Sequence, residues 1–133
     1  MLKREENIMR ATDVRVEHNL GSITKSGIKQ DTDIFEIRIN GLDKKGRDNS
    51  LYLELFISKS ELKNMGAGKE YNLKKYMYDC LYSVNGSDVE FLIDDVKEAS
   101  LKKLNSGDIK ILVKTTEPNI VAEATLDKSY YLN

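Results

Sequence analysis

One cysteine, one histidine, one proline and no tryptophan stand in a chain of 133 residues. Each scarcity excludes something. A single thiol, Cys80, closes no internal disulfide, which fits a reducing compartment and gives the expectation of a cytoplasmic protein. One cysteine and one histidine, His18, are too few to build a zinc site of His and Cys ligands. With only Pro118 and eight glycines there is no Pro/Gly-rich linker, so residues 12–133 read as a single domain. The absent tryptophan removes the side chain best suited to stacking on a sugar.

An excess of either charge is lacking too. The 21 basic and 22 acidic residues are spread along the chain and nearly cancel. No basic stripe is present to neutralise phosphates, so dedicated nucleic-acid binding is not expected, and no acidic tail suggests a nucleic-acid mimic. No apolar run approaches the roughly 18 residues that cross a bilayer. The opening MLKREENIMRATD carries charges where a secretory signal would be apolar, and the sequon Asn85-Gly86-Ser87 therefore reads as a turn.

Catalytic and cofactor signatures are missing as well. No G-x-G-x-x-G, P-loop or G-x-S-x-G occurs. Asp43, Asp48 and Asn49 surround Gly46, but their spacing is not that of a calcium loop, and a polar hairpin tip explains them. Asp94-Asp95 reads as a strand end and helix cap, and Gly66-Ala67-Gly68 as a turn. His18 falls between Val16 and Leu20 at an inward strand position, where a hydrogen-bonded histidine at the core margin is commoner than a ligand. The expectation is a protein with no catalytic residues, no metal and no cofactor.

What the chain does contain is alternation. In TDIFEIRINGLDKKGRDNSLYLELFIS, Phe35, Ile37 and Ile39 alternate with polar residues, and Leu51, Leu53, Leu55 and Ile57 repeat the pattern. A three-residue loop Lys44-Lys45-Gly46 with a left-handed glycine sets Ile39 against Leu51, Ile37 against Leu53 and Phe35 against Leu55. A loop one residue different would oppose core and solvent positions. The same register puts Arg38 opposite Tyr52, Glu36 opposite Glu54 and Ile34 opposite Phe56 on the outer face. A second hairpin is expected from Ile109, Ile111 and Val113 with Ile120, Ala122, Ala124 and Leu126. A Pro118-Asn119 turn would set Val113 against Ala124 and Ile111 against Leu126.

Two further strands are expected in TDVRVEHNL, with Val14, Val16 and Leu20 inward, and in DVEFLID, with Val89, Phe91 and Ile93 inward. Residues 1–11 read as an N-terminal arm or short docking helix. SKSELKNMG places Ser58 three residues before Glu61, the spacing of a capping box. DDVKEASLKKLNSG fits either a helix or a bent strand with a loop. The stretch NLKKYMYDCLYSVNG supports a helix over 73–84: Leu73, Tyr76, Met77, Cys80, Leu81 and Val84 share a stripe, with Asn72 as cap and Gly86 beyond the end. Cys80 then points into the core.

The expected fold is mainly β, an antiparallel sandwich or barrel of about six strands with one or two short helices. The alternative is α+β, an antiparallel sheet carrying the helix at 73–84. Seven of the ten aromatic residues are tyrosine, a residue that favours protein interfaces. Tyr78 and Tyr82, one helical turn apart, together with Tyr52, Arg38, Phe56, Tyr130 and Tyr131, are the candidate partner-binding residues.

These readings converge on a non-catalytic domain that binds another protein, of the immunity, inhibitor or accessory type. A residue usage rich in Lys, Asn and Ile suits an AT-rich bacterial or phage gene. A small-ligand or carbohydrate-binding β-sandwich module is one alternative, and a virion or assembly subunit another. Self-association would run through the N-terminal arm or the outer sheet face.

Overall fold

Alternation along two neighbouring stretches organises the molecule. The structure, a computed structural model, describes residues 7–84, 91–93, 96–116 and 119–132. Nine strands, β1 (Asn7–Lys25), β2 (Ile28–Leu42), β3 (Asp48–Phe56), β4 (Glu70–Asn72), β5 (Met77–Val84), β6 (Phe91–Leu92), β7 (Val96–Lys103), β8 (Ile109–Thr115) and β9 (Ile120–Leu126), form one sheet. Two short helices, α1 (Lys59–Asn64) and α2 (Ser129–Leu132), complete it. The strand order is β4-β7-β8-β9-β1-β2-β3-β5-β6. Every neighbouring pair is antiparallel except β1 with β9, which run parallel from Asn7/Ile120 to Arg10/Glu123.

The sheet curls so that its two halves share one core. Phe35, Ile37 and Leu55 from one half line the same small apolar cavity as Leu101, Ile109 and Ile111 from the other. Each fully buried aliphatic side chain contributes about 1.5–3 kcal/mol through removal from water. Eleven such residues among those described, Ile37, Ile39, Leu51, Leu53, Leu55, Ile57, Leu73, Leu101, Ile111, Val113 and Ile120, therefore form the main stabilising element. The mainly β class is as expected. The expected sandwich or barrel of about six strands differs: among the described residues there is one sheet, curled into a half-barrel, with nine strands. The extra ones are the short β4, β5, which replaces the expected helix, and the bent β7, whose bulge lies between Val96 and Glu98.

The β2–β3 hairpin has the register that its alternation dictates, with Ile39 opposite Leu51, Ile37 opposite Leu53 and Phe35 opposite Leu55. Its tip shows why. Gly46 adopts φ 75°, its N–H bonds to the Asp43 carbonyl at 3.0 Å, and the Asp43 N–H bonds to the Arg47 carbonyl at 3.0 Å. The Asp43 carboxylate accepts from the Lys45 and Arg47 N–H groups and from Arg47 Nε, each at 2.9 Å. Burial works to raise its pKa, but these bonds and one from Asn49 outweigh it and hold the carboxyl at about 2.

The β8–β9 hairpin differs from expectation by two residues, with Ile111 opposite Ala124 and Val113 opposite Ala122. A shift of two keeps every side chain on its face, so the core set is unchanged. Pro118 lies outside the described residues, as do Val89, the Asn85-Gly86-Ser87 sequon and Asp94-Asp95. Ser58 caps α1 as its spacing implies, accepting from the Glu61 N–H at 3.0 Å.

The largest correction concerns residues 73–84. Leu73–Tyr76 form one 3-10 turn, capped by the Asn72 side chain on the Lys74 N–H at 3.0 Å, and Met77 onward is strand β5. A helix there would leave the edge of β3 without a partner. As a strand, the segment satisfies that edge through Asn49/Val84 to Leu53/Cys80. The 3-10 turn also joins β4, at one side of the sheet, to β5, near the other. It therefore spans the opening of the half-barrel, and Leu73 is buried beneath it.

Residues 7–11, read from sequence as part of an arm, are the start of β1, and Met9 is in the core. Leu20, expected inward, is 81 % exposed. It sits where β1 and β2 have outrun the rest of the sheet: β9 pairs with β1 only as far as Arg10, and β3 pairs with β2 only from Ile34 onward. From Leu20/Asp33 to Lys25/Ile28 the two strands project as a two-stranded ribbon. No helix of the described residues is long and apolar enough to cross a membrane.

Candidate protein-binding face

The outer face of β1, β2, β3 and β5 carries side chains in rows that run across the strands. Strand registers define them. One row is Asn19, Ile34 and Phe56, with Tyr78 beside it; the next is Glu17, Glu36, Glu54 and Asp79; the third is Arg15, Arg38, Tyr52 and Leu81. Tyr78 joins the first row because β5 bulges there, between the pairs Glu54/Asp79 and Leu55/Met77. The bulge turns its ring outward.

Tyr78 is 67 % exposed, yet its ring lies on Phe56 at a centroid distance of 5.0 Å and an interplanar angle of 9°. The stack gives an exposed aromatic a fixed orientation. In the third row the Arg38 guanidinium sits 5.3 Å from the Tyr52 ring centroid, and Nη1 donates to Ser50 Oγ at 3.1 Å. Between them, burial raises the pKa of Glu54, and the charges of Asp79 and Glu36 add to it. Burial likewise raises the Tyr52 phenol, reinforced by Glu36 and Glu54. Tyr52 and its carboxylates thus remain a protonated phenol beside crowded acids at neutral pH.

Of the seven residues singled out from sequence, four meet on this face: Tyr78, Phe56, Tyr52 and Arg38. Two belong to the core. Tyr82 is buried and donates its hydroxyl to Asn49 Oδ1 at 2.7 Å; Tyr131 is buried and its hydroxyl bonds to the Gly107 carbonyl. Tyr130 is on α2, away from the face and half-exposed. The pairing of Tyr78 with Tyr82 as one surface is thereby corrected: in a strand with a bulge the two point to opposite sides. Ile34, Glu17 and Asp79 belong to the face and were not singled out. Ile34 and the acidic pair Glu36/Glu54 follow from the hairpin register, but Asp79 becomes visible only once 77–84 is a strand.

Other chemistry is sparse. His18 Nε2 lies 2.6 Å from Asp33 Oδ1, with the Phe35 ring 5.0 Å away, and Asp33 Oδ2 accepts the Lys59 N–H at 2.8 Å. Burial tends to raise the Asp33 pKa, but the Lys59 N–H and His18 prevail and hold it below the ordinary value. This set ties the base of the ribbon to α1. Cys80 is buried, and burial, with Asp79 adding, pushes its pKa up to about 12, so it carries no thiolate at neutral pH. Among the described residues no group of three or more His, Cys, Asp or Glu side chains could hold a metal ion. The cavity between the two halves of the sheet measures about 20 Å³, room for one water. Compared with protein-family models, curated proteins and solved structures, the chain matches none.

Proposed function

We propose that this chain is a non-catalytic domain that binds another protein in the cytoplasm through the outer face of β2, β3 and β5, as an inhibitor, immunity or accessory component. The observation that carries this is Tyr78, exposed over two-thirds of its surface but stacked flat on Phe56. Tyrosine and arginine dominate the energetics of protein interfaces, and a ring already held in place loses little entropy on binding. Arg38 over Tyr52 and the acidic row beside them supply oriented polar groups around that anchor.

Affinity capture from the source cell, run side by side with the native protein and Tyr78→Ser, tests this. A partner held by the native protein should be lost by the variant, because truncating an interface anchor commonly costs about 2 kcal/mol or more, on the order of thirtyfold in affinity. Equal retention by both proteins, with the fold intact, would remove this face from the account. The ribbon supports a second reading, a subunit of a larger assembly. A two-stranded ribbon is marginal on its own, and this one exposes Leu20 by 81 % and Ile28 by 63 %.

A further inference from the structure

From Asp13 to Lys25 the side of β1 that faces away from β2 pairs with no strand among the described residues. Its backbone groups form an open edge, a template for another strand. Edges of this kind are commonly kept apart by charge. Here the charges are arranged in a self-complementary order. Across β1 and β2, like faces like: Arg15 is opposite Arg38, and Glu17 is opposite Glu36. Like charges side by side are mildly unfavourable, and an opposite charge on the open side of β1 is favourable to them.

We propose that this edge pairs antiparallel with the same edge of a second copy of the chain, on a two-fold axis at Val16. In that register Arg15 of each copy faces Glu17 of the other, Val14 faces His18, and Val16 faces itself. An even-numbered sum keeps side chains on matching faces, so the half-buried Val14 and Val16 continue the inner face while the charges continue the outer one. The basic row Arg38–Arg15 then runs on into the acidic row Glu17–Glu36–Glu54–Asp79 of the second copy. A two-fold contact is the commonest way a protein associates with itself, and it uses one patch twice. The register also sets Leu20 of the second copy opposite Thr12, beside the groove between residues 8–14 of β1 and residues 123–125 of β9.

Charge reversal decides the matter. Arg15 is 77 % exposed at its side chain, where its Nε also reaches Asp13 Oδ2 at 2.9 Å, and Glu17 is exposed. Neither change should disturb the monomer's fold, which circular dichroism and a melting curve would verify. Sedimentation equilibrium of the native protein should give twice the 15.2 kDa chain mass. Arg15→Glu or Glu17→Arg alone places like charges in both symmetry-related pairs and should raise the dissociation constant about tenfold or more. The double variant R15E/E17R restores opposition and should recover the dimer. Tyr78→Ser should leave the mass unchanged, which separates this contact from the partner-binding face. A native protein that stays monomeric, a dimer indifferent to the single reversals, or a double variant that fails to recover would each overturn the proposal.

Discussion

The two halves of the curled sheet are built alike and dressed differently. On the outer face of β7, β8 and β9, unlike charges meet: Lys110 Nζ lies 3.1 Å from Glu123 Oε1, and Lys114 Nζ lies 3.7 Å from Glu98 Oε2. On the outer face of β1, β2, β3 and β5, four carboxylates follow one another in register, beside an exposed aromatic stack. Both faces cover the same core, so packing does not require the difference. A compensated, salt-bridged face is at rest in water. A like-charged row flanked by Tyr78 and Phe56 gives up local stability to keep a surface of one character, as binding sites do.

The comparison concerns only the outer faces, and the largest expected effect checks that limit. Leu53→Ala, on the inner face of the first half, should destabilise by about 2–5 kcal/mol, measured by urea denaturation. Val113→Ala, on the inner face of the second, should likewise cost more than a surface change, by about 1 kcal/mol or more. A negligible loss for one of them would mean that the halves do not share a single core.

Next comes the junction of the halves. A Cβ on Gly41 would stand 2.3 Å from the Arg10 carbonyl oxygen and 2.8 Å from Met9 Cγ, where β1 passes from β2 to β9. Backbone cannot yield as a side-chain end can. Gly41→Ala should therefore cost about 1–3 kcal/mol, read from the denaturation midpoint, and a neutral result would contradict the close approach.

A smaller effect is present at neutral pH and fades in acid. The Asp43 carboxyl is held at about 2, below the 3.8 of an unperturbed aspartate. A depressed pKa means that the ionised form is favoured by folding, so this contribution is complete above about pH 4 and is lost as the pH falls towards 2. Asp43→Asn should lower stability at pH 7 and flatten the stability profile between those limits. An unchanged acid profile would show that the hairpin tip does not depend on this carboxylate.

How far these features could be read from sequence depends on how local their causes are. The β2–β3 register follows from alternation and Gly46, both within a short stretch, and it brings Arg38, Tyr52 and Phe56 to one face. Residues 73–84 misled because Leu73, Met77, Cys80, Leu81 and Val84 satisfy a helical stripe. What decides for a strand is the open edge of β3, whose partners lie between Leu55/Met77 and Asn49/Val84, far apart in sequence. Tyr82 was misplaced for the same reason: its partner, Asn49, is 33 residues distant. The alternation in β1 carries no mark of where β9 stops pairing with it and where β3 stops pairing with β2, so Leu20 read as core. β4 and α2 have three and four residues, too few to show a period.

The most direct test of the contrast needs only purified protein and one substitution on each face. Burial and the charges of Asp79 and Glu36 raise the Glu54 pKa, so folding favours its protonated form. The stability tied to that proton is present in acid and is lost as the pH rises through the folded pKa. At pH 7, Glu54→Gln should therefore raise the unfolding free energy by about 0.2–1 kcal/mol, and the gain should vanish in acid. Glu123→Gln, which breaks the ion pair with Lys110, should lower it by a similar about 0.2–1 kcal/mol. Opposite signs, both shrinking in high salt, are the expected result. If both variants lose stability at pH 7, the β1–β2–β3–β5 face is as balanced as the other, and the case for it as a binding surface fails.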